Sequence, residues 1–398
     1  PGQTVKAKID VKRKQHAEAK LIEVITRAAC EKVTDFQEIS GAPYLFVPID
    51  VQRSMKTSST LSTFSRISGF QAMESCFDGY IEAPEPYFYR NKMEYSFSSI
   101  EHLIESGEEK DGAIALGFKR RGTWWKVENL NRPSGLFDED WERKLPLLRD
   151  HLEQSDLPAW HPPRKTGFFR HIVLRKSFKD DRLLVHLVTS SEGIKQFDAQ
   201  AFVDKVIELH GARIAGIQHT INDDVADRSK IENGRTRILY GQPLVEENLL
   251  GLTFQMRMES FFQTNPSCAE LLYDKALDYL FEDAFEPGDI AMDLFCGTGT
   301  IGQLMAKRNP NVRIIGVDIV EKAIEDAKQN AAKNGIHSVE FFAADVGKFL
   351  REYPDFQGNI KRIMLDPPRA GIAPKTLQKV IALDADSIVY ISCNPSTQ

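Results

Sequence analysis

The order of apolar and polar positions divides the chain into three stretches. The first, residues 1–75, opens with alternation in TVKAKIDVK, which predicts a basic strand. AEAKLIEVITRAA follows, and the run MKTSSTLSTFSRISG at 55–69 is so rich in Ser and Thr that it reads as loop-like or weakly structured. From about 80 to 254, short apolar runs punctuated by turns predict strands. AIALGFKRRGTWWKVENL and HIVLRKSFKDDRLLVHLVTS each read as a hairpin, the second turning at Lys179, Asp180 and Asp181. GARIAGIQHTIN and TRILYGQPLV continue the pattern, and a covering helix is expected around 198–209.

The period changes after residue 264. Asn265 followed by Pro266 reads as an N-cap with proline at the first helical position. The helix it opens puts Ala269, Leu272, Tyr273, Ala276 and Leu280 on one face. Five strand-like runs follow: IAMDLF, RIIGVDI, VEFFAAD, RIMLDP and SIVYIS. Helical stretches such as IGQLMAKR and EKAIEDAKQNAAKN, the latter closed by Gly335, separate most of them. Strands alternating with helices mean βαβ units and a parallel sheet. The expected fold class is therefore α/β, with a Rossmann-like C-terminal domain that has helices on both faces of its sheet. A central, predominantly antiparallel α+β domain precedes it.

Composition narrows the function classes. The 398 residues exceed one ordinary core, and 42% hydrophobic with 27% charged residues is the balance of a globular protein. No apolar run approaches the ~18 residues of a membrane helix, and the N-terminus is too polar for a signal peptide, so a cytoplasmic location without membrane partners is expected. Cys30, Cys76, Cys268, Cys296 and Cys393 lie far apart with no CxxC pair, so neither a disulfide framework nor a metal site is expected. The net charge of −6 leaves nucleic acid open, because binding depends on local basic surface.

Candidate chemistry collects in the third stretch. In MDLFCGTGTIG a strand runs into a turn where Gly297 and Gly299 let backbone approach a ligand at a helix N-terminus. A third glycine in dinucleotide register is missing. Asp318, about 20 residues on at the end of GVD, suits both hydroxyls of a ribose, and with Asp345 in AAD the set favours S-adenosylmethionine. In LDPPRAG the two prolines after Asp366 force a rigid exit from the fourth strand. Arg369 stands where amino-methylating enzymes often present an aromatic residue, which argues against exocyclic N-methylation. Cys393 follows the fifth strand, where parallel-sheet active sites gather. It reads as a nucleophile, with a buried structural thiol as the alternative. In the middle stretch FKRRGTWWK surrounds Trp124 and Trp125 with Lys119, Arg120, Arg121 and Lys126, supplying phosphate contacts and stacking faces for RNA. Arg90, Arg170 and Arg175 are further candidates, and the alternative is a solvated basic face over core tryptophans.

FFQTN, DLFCGTGTIG, GVD, LDPPRAG and SCNP, in this order, closely resemble the family of S-adenosylmethionine-dependent RNA uracil-5-methyltransferases, which make 5-methyluridine in tRNA or rRNA. YRNKMEYSF and GFKRRG resemble that family's central RNA-facing domain, and residues 1–24 resemble the last strands of a small RNA-binding barrel. The resemblance implies domains at 1–75 (a barrel remnant), 76–260 (central) and 261–398 (catalytic). It implies that Gln263, Phe295, Thr300, Asp318 and Asp366 contact the methyl donor, with Asp345 near its adenine. Cys393 would be the nucleophile, and RNA would be the partner, met also by Arg369. No group of cysteines matches the family's iron–sulfur ligands, so no cluster is expected. No carboxylate matches the family's general base, so the chain is expected to be truncated at its C-terminus with the base beyond residue 398. A monomer is expected, and the rival function is a non-catalytic RNA-binding protein or folding chaperone that retains the donor pocket. Cytosine carbon-5 methylation, which uses the same thiolate chemistry, remains a second alternative.

Overall fold

The computed structural model describes residues 2–14, 17–225 and 234–397. Its first elements are an antiparallel ribbon, β1 (Thr4–Lys12) on β2 (Ala17–Thr26), exposed along both strands. This ribbon stands where barrel strands were expected, and of that stretch Pro1, Gln15 and His16 lie outside the described residues. The Ser/Thr-rich run expected to be loop-like or weakly structured instead forms the greater part of a helix, α1 (Ile49–Ser68). Pro48 precedes it, and Gly69 ends it at φ 73° with its N–H donating to the Ser65 carbonyl. No glycine or proline interrupts the helix, so the backbone continues through residues whose own preference is for turns.

The central sheet is built from β3 (Lys92–His102), β4 (Glu109–Lys119), β5 (Val127–Asn129), β6 (Phe169–Lys176), β7 (Leu183–Thr189), β8 (Ile214–Ile221) and β9 (Arg235–Gly241). Two helices lie on it: α2 (Glu139–Glu153), between β5 and β6, and α3 (Ala199–His210), between β7 and β8. The strand order is β4-β5-β3-β6-β7-β8-β9, antiparallel except where β3 meets β5 and β7 meets β8. Both expected hairpins are present, as is the helix expected around 198–209, where Asp198 accepts from the N–H groups of Gln200 and Ala201. One sheet face buries Tyr95, Phe97, Ile172, Leu174 and Leu187 against Trp141, Leu145 and Leu148 of α2 and Phe202 and Val206 of α3.

A hairpin of β10 (Leu244–Leu249) and β11 (Leu252–Arg257) then leads to α4 (Pro266–Leu280). Asn265 caps α4 by accepting from the Cys268 N–H at 3.1 Å. The expected buried face of α4 holds at Ala269, Tyr273, Ala276 and Leu280. Leu272 is 37% exposed, and Leu277 is buried in its place. The five remaining strands are β12 (Ile290–Leu294), β13 (Arg313–Asp318), β14 (Val339–Ala343), β15 (Ile360–Leu365) and β16 (Ser387–Tyr390). Between them run α5 (Thr300–Arg308), α6 (Glu321–Lys333), α7 (Val346–Glu352) and α8 (Pro374–Ile381).

The order β14-β13-β12-β15-β16 is parallel throughout, with a topological reversal beside β12. Parallel strands deliver all five carboxyl ends to one edge, and ligands bind outside that edge near the reversal. One apolar cluster runs from Val173 and Leu184 of the central sheet through Val245, Leu249, Phe254 and Met256 of the hairpin to Tyr273, Leu304 and Met364. Asn334 of the loop after α6 secures the hairpin by accepting from the Thr253 N–H at 2.9 Å and donating to its carbonyl at 3.0 Å.

Candidate active site

The turn after β12 has an unusual backbone. Phe295, Gly297 and Gly299 all have positive φ (67°, 53° and 73°), which a side chain tolerates poorly at the first of them. Phe295 is held there by its N–H donating to the Val317 carbonyl at 2.9 Å. The two glycines are needed for different reasons. A Cβ on Gly299 would meet the Phe341 ring at 2.4 Å, because α5 starts hard against β14 and α6. A Cβ on Gly297 would meet nothing within 4 Å, so the space beside its backbone is open, at the sheet edge where a ligand crevice is expected.

Asp318 closes that crevice at the end of β13. Its Oδ2 accepts from the Gly297 N–H at 3.0 Å and its Oδ1 from the Val320 N–H at 2.8 Å. Each carboxylate oxygen can accept twice, so one further donor per oxygen remains possible, as two neighbouring hydroxyls would require. Thr300 is half-buried at the first position of α5. Asp345 caps α7, its Oδ1 accepting from the Lys348 N–H at 2.9 Å, at the carboxyl end of β14.

Asp293, at the fourth position of β12, is fully buried. Its Oδ2 accepts from the Gly302 N–H at 2.7 Å, so it caps α5 from the strand, a task Gly299 at the N-cap position cannot perform. Burial pushes its carboxyl up to about 7, with the charges of Asp366 and Asp318 acting in the same direction. Burial likewise raises Asp366 to about 6. Tyr273 of α4 lies beside the Gln263 side chain and within the field of both carboxylates. Burial, reinforced by those charges, drives its phenol pKa upward. Tyr273 was legible only as a core position of α4, because helical periodicity does not tell a buried phenol from any other buried ring.

Cys393 is exposed on the loop leaving β16. That loop is tied to the Asp-Pro-Pro-Arg turn: the Ile391 N–H donates to the Leu365 carbonyl at 2.7 Å and the Thr397 hydroxyl to the Arg369 carbonyl at 3.1 Å. The Gly297 turn, Asp318, Asp366, Arg369 and Cys393 thus share one edge of the parallel sheet. Cys393 is exposed among the described residues, whereas Cys296 is buried.

The basic candidates divide. Arg121, Trp124 and Arg369 are exposed, Trp124 by 56%. Lys119 is half-buried. Arg120 is shared between His102 and Glu128, and Arg90 turns its Nε to the Lys92 carbonyl at 3.2 Å. Arg170 corrects the sequence reading, for it is fully buried. Its Nη1 donates to the Asn222 and Asp224 carbonyls at 2.7 and 2.9 Å, and the guanidinium lies over the Trp160 ring at 4.3 Å. Arg175 is buried in the same way beneath the β11–α4 connection. Neither arginine is available to a phosphate.

Comparison with known proteins gives concordant results. Residues 285–398 match a family model described as a methyltransferase domain. The chain is 35% identical over 411 residues to an uncharacterized RNA methyltransferase of Clostridium acetobutylicum, spanning 100% of this chain and 83% of that relative. It is 33% identical over 412 residues to another from Caldanaerobacter subterraneus, again with 100% and 83% covered. Among solved structures it resembles in fold a Pyrococcus abyssi tRNA (uracil-54, C5)-methyltransferase crystallised with S-adenosyl-L-homocysteine. There the TM-score is 0.67 at 21% identity, over 100% of this chain and 85% of that one.

Proposed function

We propose that this chain, which belongs to the RNA methyltransferase family, transfers the methyl group of S-adenosylmethionine to carbon 5 of a uridine in tRNA or rRNA. The observation that carries the reading is the exposed Cys393 thiol, on the same sheet edge as the Gly297 turn and tied through its loop to the Asp366–Arg369 turn. An oxygen or an exocyclic nitrogen brings its own lone pair to a methyl group and needs no thiol. Carbon 5 of uracil has none, and a thiolate adding at carbon 6 is what makes it nucleophilic.

The crevice residues suit an adenosyl ligand. Asp318 keeps one acceptor position per oxygen for the ribose hydroxyls, and Gly297 leaves the space a ligand would fill. Phe295, Thr300 and Asp366 border the same turn and strand ends, Asp345 follows β14 two strands from β12, and Gln263 reaches toward them from the connection before α4. Bound there, S-adenosylmethionine would supply an electrophilic methyl carbon. The Cys393 thiolate forms a bond to carbon 6 of the uracil, and the displaced π pair develops on carbon 5, conjugated with the 4-carbonyl. Carbon 5 takes the methyl as the carbon–sulfonium bond breaks, its pair staying with the donor sulfur. A base then removes the carbon-5 proton, and the freed pair re-forms the double bond while expelling Cys393.

Uridine stacked in RNA must leave its helix to reach this edge. Trp124, Arg121 and Lys119 on the β4–β5 side of the central sheet supply a stacking face and cations for the surrounding strand. The test is methyl transfer from labelled donor to tRNA and rRNA transcripts by the full-length protein, which would carry the base expected beyond residue 398, with the modified nucleoside identified by mass spectrometry after digestion. The expected product is 5-methyluridine. Label confined to methylated cytidine or to a ring or exocyclic nitrogen refutes the assignment.

A further inference from the structure

The connection between β11 and α4, residues 258–265, carries Gln263 and contains no helix or strand. Its conformation therefore depends on bonds from outside. Those bonds come from the central sheet. The Met258 carbonyl accepts from Lys92 Nζ at 3.1 Å and from Arg175 Nη2 at 3.3 Å, and Arg175 Nη2 also reaches the Ser260 carbonyl. The Gln263 carbonyl accepts from Asn91 Nδ2 at 2.9 Å, and the Thr264 carbonyl from the Asn91 N–H at 2.8 Å. Gln218 of β8 donates to the Glu259 carboxylate at 3.2 Å. Asn91 and Arg175 are 0% and 1% exposed, so solvent offers those carbonyls no equivalent donor at these points.

Asn91 is the pivot. Its own carbonyl accepts from the Lys176 N–H at 2.8 Å, which ties the start of β3, the end of β6 and the Gln263 backbone to one residue. On the opposite side the Gln263 side chain meets Tyr273 of α4. Gln263 is thus mounted between the central sheet and the first helix of the Rossmann-like domain.

We propose that Asn91 and Arg175 are positioning residues for the methyl donor, acting through Gln263, so that the central sheet sets the shape of the donor crevice. The proposal rests on the donor-site reading given above. It makes the RNA-facing sheet and the crevice one mechanical unit, with a buried amide as the joint.

Isothermal titration with S-adenosyl-L-homocysteine on Asn91→Ala, Gln263→Ala and the double variant tests it. Asn91→Ala should weaken binding about tenfold, the effect of one well-placed hydrogen bond. The double variant should bind no more weakly than Gln263→Ala alone, because both changes act through the same contact. Arg175→Lys should regain part of the affinity that Arg175→Met loses. Unaltered binding by Asn91→Ala, or losses that simply add, overturns the proposal. Should Asn91→Ala not fold, amide hydrogen exchange on the parent protein decides. Added S-adenosyl-L-homocysteine should slow exchange at the Asn91 and Lys176 amides together with residues 263–264. Slowing confined to residues 290–397 overturns the mount while leaving the donor-site reading intact, and a parent that binds no S-adenosyl-L-homocysteine defeats both.

Discussion

Alanine at each glycine of the β12–α5 turn should separate stability from ligand binding. At Gly299 the new methyl would lie 2.4 Å from Phe341 Cζ and 2.8 Å from Ala327 Cβ, both on buried residues with nowhere to retreat. The left-handed backbone, φ 73°, adds ~1–2 kcal/mol. Overpacking adds ~1–3 kcal/mol, so a loss of about 2–5 kcal/mol is expected. At Gly297 only the backbone cost applies, because no heavy atom lies within 4 Å of the added carbon. On the donor-site reading that open space is where the ligand sits, so the methyl would compete with it. Urea unfolding at constant m-value gives the stabilities, and titration with S-adenosyl-L-homocysteine gives the affinities. Gly299→Ala should show the larger drop in midpoint. Gly297→Ala should stay within ~2 kcal/mol of the parent yet bind at least about tenfold more weakly. Equal stabilities, or a Gly297→Ala protein that binds as the parent does, would refute this account of the turn.

Other expectations follow from burial and charge. Arg170→Met strands the Asn222 and Asp224 carbonyls and should cost ~1–3 kcal/mol in denaturant unfolding, with the RNA affinity of the folded fraction unchanged in a filter-binding assay. Trp124→Ala should do the reverse, weakening RNA binding by ~1–3 kcal/mol while the unfolding midpoint hardly moves. Asp293, raised from 3.8 to about 7, keeps a proton in the fold that the unfolded chain has released. Its contribution is therefore fully present below about pH 4 and is lost as pH rises to 7, at no more than ~1.4 kcal/mol per pH unit for one proton. Asp366, raised to about 6, titrates in the same window. Asp293→Asn keeps an acceptor for the Gly302 N–H without the charge, so its stability should vary less between pH 4 and 7. A slope as steep as the parent's would remove Asp293 as the cause.

Much of the C-terminal domain was legible because its signals are local. Asn265-Pro266 caps α4 as the pattern requires, and every apolar run from IAMDLF to SIVYIS is a strand of one parallel sheet. The glycine turn and the aspartates at strand ends could be found because parallel strands deliver such residues to a common edge. What failed depended on tertiary context. Ser/Thr-rich α1 has no buried residue and no apolar periodicity to announce it, so only Pro48 and Gly69 marked its ends. Arg170 reads as a surface cation until Trp160 and two loop carbonyls enclose it. Asn91 shows nothing in sequence, since the Gln263 carbonyl that its side chain holds lies 172 residues away.

The central claim is a covalent bond between Cys393 and carbon 6 of the target uridine, and fluorine at carbon 5 would make that bond persist because it cannot leave as a proton. RNA containing 5-fluorouridine, incubated with the protein and S-adenosylmethionine, should give a complex that survives a denaturing gel. Mass spectrometry should place the methylated nucleotide on the peptide carrying Cys393, and Cys393→Ala should form none. Trapping by Cys393→Ala as efficient as by the parent would contradict the account.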